Sequence, residues 1–319
     1  MEYMMEKCTQ LRHVQLYAAN LVSNDMWQTF FKHYGGQLET VQLQWLDAAF
    51  DDDTVNVMVT HCPNLRRLKL KLCRRIGDES VKELAKLKKL EHLSLQVASI
   101  EIELSSILDL ISAVGAGLHT LSLEHFLDIE DPVLEAVRTH CRQLSKLRIS
   151  ENDIITDAAF TALFTEWSNL PLQIGDFNST RDVDNNNPTG PEEAIGLASS
   201  GFKALMRHSG TSLRHLDIAS CRHISLSAFN DVFDGSVLYP MLEHINLSFC
   251  SAVDTRVVAG IFASCPKLKR VVAFGCFDVA DVVVPRGIAL IGVPKAQDAI
   301  EQIGVGVGME EALSRMIAV

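Results

Sequence analysis

The sequence contains no motif that typically carries catalysis or holds a nucleotide. It has no G-x-S-x-G, no H-E-x-x-H and no P-loop, the patterns of many hydrolases, metalloproteases and nucleotide-binding proteins. It also has no C-x-x-C pair and no apolar run near the roughly 20 residues that a membrane helix needs. The opening "MEYMMEKCTQ" is charged and unlike a secretory signal. We therefore expect a non-catalytic, soluble protein of a reducing intracellular compartment, without cofactor or metal.

The chain also lacks an excess of positive charge. Its 29 Lys and Arg residues face 40 Asp and Glu residues, which gives a formal net charge of −11. An acidic surface repels nucleic acid at long range, because tight binding to phosphates depends on clustered cations. We expect any contact with DNA to be made through partners rather than directly.

All eight cysteines occur at two places in one repeating pattern. The pattern begins at the first leucine of each L-x-x-L-x-L stretch, and we number positions from that leucine. The nine first leucines are Leu11, Leu38, Leu65, Leu90, Leu118, Leu144, Leu213, Leu242 and Leu268. Position minus three holds Cys8, Cys62, Cys141 and Cys265, and position plus eight holds Cys73, Cys221, Cys250 and Cys276.

The spacing of these leucines is that of a leucine-rich repeat. Successive steps are 27, 27, 25, 28 and 26 residues up to Leu144, then 29 and 26 from Leu213 to Leu268. Each repeat predicts a short strand with inward leucines, a turn at plus eight and a helix on the outer face. We predict an α/β leucine-rich-repeat solenoid, a horseshoe with a parallel concave sheet and convex helices. Its cysteines, and Asn152 at the same plus-eight position, are interpreted as buried structural residues.

Breaks in the pattern predict the domain organisation. Residues 1–278 form the repeats, with an irregular seventh repeat disturbed by Pro171 and a loop insertion at 176–192, rich in Asn, Asp, Pro and Gly. A helix through Phe202 and Leu205 should follow, and residues 279–319 should form a C-terminal capping segment. Because the pattern begins only ten residues after Met1, we expect a region preceding it to be absent from this sequence.

Function is expected on the concave side chains at plus two, plus four and plus six, which alternate with the inward leucines. Ten of the 29 cations lie between Arg66 and Lys89, and they are either a solvated face or a docking patch for an acidic partner or phosphates. His215 and His244 should lie side by side at about 4.8 Å, with too few further ligands for a metal. The candidate partner-binding residues are Arg67, Lys69, Lys71, His92, Lys146, Arg148, His215, Asp217, His244 and Asn246.

Two stretches carry a resemblance to known families. "LRHLDIASCRHISLSAF" and "LEHINLSFCSAVDTRVV" resemble the cysteine-containing leucine-rich repeats of F-box substrate receptors. Residues 265–294, with the run V-P-R-G-x-A-L-I-G, resemble the C-terminal end of the fungal leucine-rich-repeat subunits of the global-genome nucleotide excision repair complex. The basic, zinc-ribbon-like N-terminal segment of that family has no counterpart in this sequence.

The second resemblance implies a function. It implies a nuclear, non-catalytic scaffold for DNA damage recognition that partners an SNF-type ATPase and acts with an elongin and cullin module as a ubiquitin ligase component. Two alternatives stay open at this point. One is an F-box-type substrate receptor or mitotic regulator with no role in repair, and the other is direct DNA binding by the concave face.

Overall fold

One parallel sheet of eleven strands, in the order of the chain, organises the protein. A computed structural model describes residues 1–46, 50–96, 102–126, 129–152, 154–180 and 195–293. The sheet order is β1 to β11 without crossover, and every neighbouring pair is parallel. The strands are β1 His13–Tyr17, β2 Thr40–Gln44, β3 Arg67–Lys71, β4 His92–Gln96, β5 Thr120–Glu124, β6 Lys146–Ser150, β7 Ile174–Asp176, β8 His215–Asp217, β9 His244–Asn246, β10 Arg270–Val272 and β11 Ala289–Ile291.

The helices all connect successive strands or lead into the first one. They are α1 Glu2–Lys7, α2 Asn24–Tyr34, α3 Asp52–His61, α4 Asp78–Leu84, α5 Leu104–Val114, α6 Asp131–His140, α7 Asp157–Glu166, α8 Ser199–Ser209, α9 Leu226–Val232 and α10 Thr255–Ser264. Within the described ranges, no helix has the length and apolarity needed to cross a membrane.

The predicted alternation of side chains places the core between sheet and helices. In the third repeat Leu68 and Leu70 of β3 are fully buried, and Val81, Leu84 and Leu87 face them from α4 and the turn after it. Helices pack about 8–10 Å apart whereas strands lie about 4.8 Å apart, so the helical layer is the longer one. The sheet therefore occupies the inner, concave side, and its helix-free face is called the concave face below.

In four repeats the residue at plus eight binds its turn to the preceding repeat. The thiols of Cys221, Cys250 and Cys276 donate to carbonyl oxygens one repeat back, at 3.2, 3.1 and 3.2 Å. The Asn152 amide donates to the carbonyls of Phe126 and Ile129 and accepts two backbone N–H groups of its own turn. The structural interpretation of cysteines is confirmed at seven positions, which are buried and free of disulfides.

Cys8 is the exception to that interpretation. The prediction that it is buried is wrong, since its side chain is exposed. It ends α1, beside the edge strand β1, and no further strand lies beyond β1 in the described sheet. The other minus-three cysteines lie between two repeats, which is what buries them.

A second recurring turn feature is a left-handed residue at plus seven. In each of nine repeats this residue has φ between 49° and 69°, a region that favours glycine because a Cβ is strained there. Its N–H still continues the sheet, as Trp45 to the Lys71 carbonyl (3.0 Å) and Phe249 to the Phe274 carbonyl (2.7 Å) illustrate. The nine residues are Ala18, Trp45, Leu72, His125, Glu151, Ser179, Ser220, Phe249 and Gly275.

The outer helices are linked by their first residues. The Asp52 carboxylate accepts the N–H of Gly77, the N-cap residue of α4, at 2.8 Å, and Asp78 accepts the N–H of Glu103, the N-cap of α5, at 3.0 Å. Asp131 and Asp157 make the same bond to Thr156 and Ala198 at 2.7 and 2.8 Å. A backbone N–H that has no partner within its own helix is thus bonded to a carboxylate of the preceding repeat.

The irregular seventh repeat is better ordered than its sequence indicates. Pro171 precedes β7 instead of interrupting it, and Leu172 is the buried first leucine. Of the insertion predicted at 176–192, residues 176–180 belong to the end of β7 and a turn with Phe177 and Thr180 buried. Residues 181–194 lie outside the described residues, so the insertion stays a prediction.

The helix predicted after the insertion is confirmed as α8, with Phe202 and Leu205 buried. The predicted capping segment is described only to residue 293, where β11 pairs with β10 and extends the sheet. The rest of the predicted capping segment, residues 294–319, lies outside the described residues.

Candidate functional site

The concave positions form rows that cross the sheet, one residue from each strand. Strand pairing aligns the plus-two residues without a slip, and the plus-four residues likewise. The plus-two row is His13, Thr40, Arg67, His92, Thr120, Lys146, Ile174, His215, His244, Arg270 and Ala289. The plus-four row is Gln15, Gln42, Lys69, Ser94, Ser122, Arg148, Asp176, Asp217, Asn246, Val272 and Ile291.

Two of the predicted basic contacts are engaged in a half-buried ion-pair network. Lys71 Nζ lies 2.6 Å from Glu124 Oε2, across the intervening β4, and both side chains are less than one-fifth exposed. Glu124 Oε1 also accepts from Arg148 (3.3 Å), whose Nε lies 2.5 Å from Asp176 Oδ2. Burial opposes the charge on Glu124, but Lys71, Ser122 and Arg148 together outweigh it and lower the pKa of that carboxyl. Lys71 and Arg148 therefore stabilise the sheet and are not free cations.

The network ends at a pair of carboxylates in β7 and β8. The Asp217 carboxylate accepts the N–H of Ala219 and the amide of Asn246, both at 3.0 Å. Burial and the neighbouring Asp176 carboxylate raise the pKa of Asp217 to about 6. The predicted residues Asp217 and Asn246 are thus joined to each other, in a setting that disfavours further negative charge.

The predicted histidine pair is confirmed in geometry. The rings of His215 and His244 have centroids 4.5 Å apart and are tilted by 32°. Burial lowers the pKa of both imidazoles, so at pH 7 they are neutral. His92 has its pKa lowered by burial and by Arg67, and its Nδ1 lies 2.9 Å from Thr120 Oγ1. Among residues the structure describes, no three His, Cys, Asp or Glu side chains are grouped as metal ligands.

The remaining cations of the plus-two row differ from their neighbours. Arg67, Lys146 and Arg270 are exposed and have no ion-pair partner among the described residues. Of the four cations at plus one, three are paired, and Arg214 has no ion pair among the described residues. Arg12 lies 2.8 Å from Glu39, Lys269 lies 2.5 Å from Glu243, and Arg66 pairs with Glu91.

At least four of the ten cations in the basic run at 66–89 form ion pairs, among them Arg66 and Lys71 described above. Lys82 pairs with Asp78 (2.7 Å) and Glu79 (3.0 Å), and Lys86 with Glu83 (2.5 Å). Lys69 has no ion pair among the described residues, and burial together with Lys71 lowers its pKa. The exposed charge that the run offers the concave face is therefore concentrated at Arg67.

Sequence reasoning missed the two carboxylates that hold the network. Glu124 was one concave residue among many, and Asp176 fell in the predicted insertion. Counting the period from Leu172 would have placed Asp176 at plus four, beside Arg148 of the preceding repeat.

Comparison with known proteins gives the following relatives. A Leucine Rich repeat family model matches residues 61–85. DNA repair protein rhp7 of Schizosaccharomyces pombe is 28% identical over 278 residues, covering 86% of this chain and 46% of that protein. DNA repair protein RAD7 of Saccharomyces cerevisiae is 24% identical over 307 residues, covering 91% of this chain and 50% of that protein.

Two further matches concern the fold and the alternative family. The crystal structure of the Rad7 and Elc1 complex in yeast matches with a TM-score of 0.79 at 22% identity, over 93% of this chain and 71% of that chain. F-box/LRR-repeat protein 17 of Arabidopsis thaliana is 22% identical over 262 residues, 73% of this chain and 42% of that protein. The chain spans about half the length of the curated relatives it matches. It is a leucine-rich-repeat solenoid whose homologues are the DNA repair proteins rhp7 and RAD7.

Proposed function

We propose that this chain is the leucine-rich-repeat scaffold of a DNA damage recognition complex that acts in nucleotide excision repair and is linked to a ubiquitin ligase. The observation that carries the proposal is the match to two DNA repair proteins over 86% and 91% of the chain. A shared fold alone would not assign a function, because one fold serves many. Here the sequence match extends over most of the solenoid.

The concave face is the surface on which we place a protein partner. It presents polar side chains in aligned rows on a rigid sheet, the arrangement on which solenoids bind partners. The candidate residues are those with groups directed at solvent, above all Arg67, His92, Lys146, His215 and His244. Lys69, Lys71, Arg148, Asp217 and Asn246 contribute the half-buried floor beneath them.

The partners are proposed from the relatives. The yeast structure contains Rad7 with Elc1, and an elongin-type protein is accordingly the first partner we propose for this chain. An SNF-type ATPase, contact with DNA through the complex and a nuclear location follow from the same resemblance. The net charge of −11 supports indirect rather than direct contact with DNA.

The F-box-type alternative has weaker support. The F-box/LRR-repeat relative matches at 22% over 73% of the chain, less on both measures than rhp7 or RAD7. Repeats with cysteine at plus eight are common to both families, so they do not separate the two functions.

A chimera tests the proposal without requiring the chain to replace a protein twice its length. Residues 1–319 are put in place of the matching part of yeast RAD7, and survival after ultraviolet irradiation is measured in cells without RAD7. We expect survival to be restored and the elongin-type partner to co-purify. The control is the same chimera with Leu68→Asp, which places a charge in the core and should abolish both. A well-expressed chimera that binds the partner but restores no survival contradicts the proposal.

A further inference from the structure

The plus-two row contains no carboxylate although the chain is acidic. It crosses all eleven strands, yet its charged and ionisable members are three cations and four histidines. The whole chain carries 40 Asp and Glu residues against 29 Lys and Arg. A row of one sign on a surface of the other sign marks a place where the field favours an anion.

The adjacent plus-one row shows that this pattern is not a general property of the face. There, three of the four exposed cations pair with a carboxylate of the next or the preceding repeat: Arg12 with Glu39, Arg66 with Glu91, and Lys269 with Glu243. The fourth, Arg214, has no ion pair among the described residues. Arg67 and Arg270 are direct chain neighbours of Arg66 and Lys269. Their charges have no such partner in the part of the chain that the structure describes.

We propose that the plus-two row binds an extended, acidic polypeptide segment of a partner protein. This inference rests on the proposed role of the concave face in holding a protein partner, and it adds the chemistry of the bound segment. Arg67, Lys146 and Arg270 pair with carboxylates of the segment. The neutral imidazoles between them donate hydrogen bonds to its carboxylates or its backbone carbonyls.

The spacing of the strands fixes the length of the segment. From β1 to β10 there are nine strand spacings of about 4.8 Å, which is about 43 Å, and an extended chain covers that distance with about 13 residues at roughly 3.3 Å each. Arg67 and Lys146 are three strands apart, and Lys146 and Arg270 four. The segment should therefore carry carboxylates about four and six residues apart.

A nucleic acid fits this surface less well. The row is bordered by Glu39 and Glu91 at plus one and by Asp176 and Asp217 at plus four. A phosphate backbone with its sugars and bases would cover these carboxylates as well as the cations, and the chain as a whole repels it. A narrow extended peptide can follow the cationic row alone.

Fluorescence anisotropy with a labelled 13-residue peptide of alternating Glu and Ser tests the inference on the 319-residue chain, since about 13 residues span the row. The same peptide with Gln for Glu and a single-stranded DNA of equal length are the comparison probes. We expect the Glu peptide to bind, the Gln peptide not to bind, and the triple variant Arg67→Gln, Lys146→Gln, Arg270→Gln to weaken the Glu peptide about tenfold or more.

The matched control removes the same charge from the adjacent row. Arg12→Gln, Arg66→Gln, Lys269→Gln should weaken the peptide by less than about threefold. Equal losses in both triple variants, tighter binding of the DNA than of the Glu peptide, or no binding of the Glu peptide would each overturn the inference. Circular dichroism melting of both variants establishes that they are folded.

Capture of an elongin-type partner by the same variants tests the proposed function independently of peptide binding. A chain that captures this partner but binds no acidic peptide refutes the acidic-segment site and leaves the proposed function standing. A chain that binds the peptide through the plus-two row but captures no elongin-type partner supports the site and counts against the proposed assembly.

Discussion

The repeats of β1 to β6, the first region, have five-residue strands, whereas those of β7 to β11, the second region, have three-residue strands. The cause in β7, β8 and β9 is the residue at plus four. Asp176, Asp217 and Asn246 each accept the backbone N–H two residues later, at 3.4, 3.0 and 3.1 Å. This is an Asx turn, which takes the N–H that would extend the strand. The first region has Gln, Lys, Ser and Arg at plus four, and its strands continue.

In β7, β8 and β9 one side chain therefore sets how far the strand extends toward the turn; β10 and β11 are equally short but have Val272 and Ile291 at this position. The difference in strand length also changes the concave surface. In the first region the plus-six residues belong to the strands, so Lys71 and Glu124 can meet across β4. In the second region the carboxylates and amides bind their own backbone and each other. On the concave face, the first region has an ion-pair network between repeats and the second has Asx turns within repeats.

The largest expected effect concerns the plus-eight residue, which is Asn152 in the last repeat of the first region and Cys250 in one repeat of the second. Asn152→Ala removes four hydrogen bonds and should lower the free energy of unfolding by about 3–4 kcal/mol. Cys250→Ala removes one thiol bond and should cost about 1 kcal/mol. Urea unfolding followed by circular dichroism measures both. Equal costs would mean that the two regions do not use this position differently.

The next effect tests the ion-pair network of the first region. Glu124→Gln leaves Lys71 and Arg148 half-buried without their shared anion, and we expect a loss of about 2–3 kcal/mol in unfolding free energy. Glu166→Gln, which breaks an exposed pair with Arg138, is the control and should change stability by less than about 0.5 kcal/mol. If Glu124→Gln is equally harmless, the network does not hold the first region together.

A third change tests the Asx turns of the second region. Asn246→Ala removes the acceptor for the N–H and hydroxyl of Ser248 and the donor to Asp217, at an expected cost of about 1–2 kcal/mol. Gln42→Ala occupies the same row in the first region and should cost less than about 0.5 kcal/mol. Hydrogen exchange of the Ser248 amide should accelerate in the variant. Unchanged exchange would show that the side chain does not end the strand.

The smallest effect is a difference in pH dependence. The folded pKa of Asp217, about 6, lies above its ordinary value of 3.8, so its ionised form destabilises the fold and stability is gained as the pH falls from 7 towards 4. In Asp217→Asn we expect roughly 1 kcal/mol of this gain in unfolding free energy to be lost. Partial exposure of the side chain to solvent keeps the effect this small. Glu124 has the opposite sign, because its lowered pKa gives stability that is lost as the pH falls below 4.5. Thermal melts of wild type, Asp217→Asn and Glu124→Gln between pH 3 and 7 separate the two.

The repeat period, the rows and the roles of the buried cysteines could be predicted because they depend on local spacing. A leucine three or five residues from the first one points to the same side in every repeat, and Cys73 or Asn152 follows at a fixed distance. His215 and His244 were placed together on that basis alone. The exposure of Cys8 could not be predicted from spacing, because burial at minus three depends on contact with a neighbouring repeat.

Other features depend on what one repeat presents to another. The Lys71–Glu124 pair joins β3 to β5 across β4, so no regular spacing along the sequence predicts it. The repeat period could not be followed through Pro171, so Asp176 was not recognised as a plus-four residue. The left-handed plus-seven residues include Ala18, Trp45 and Leu72, which share no chemistry. Position in the turn rather than residue type determines their conformation, and only Gly275 could have indicated it.

The bonds from the first residue of one helix to the N-cap backbone of the next all run forward along the chain. A ribosome adds a repeat of about 26 residues in roughly 1–5 s, far longer than a helix needs to form. For α4, α5, α7 and α8, synthesis from the N-terminus therefore supplies the carboxylate before the helix that it will hold. For these helices we expect the array to assemble from its N-terminal repeats towards its C-terminal ones.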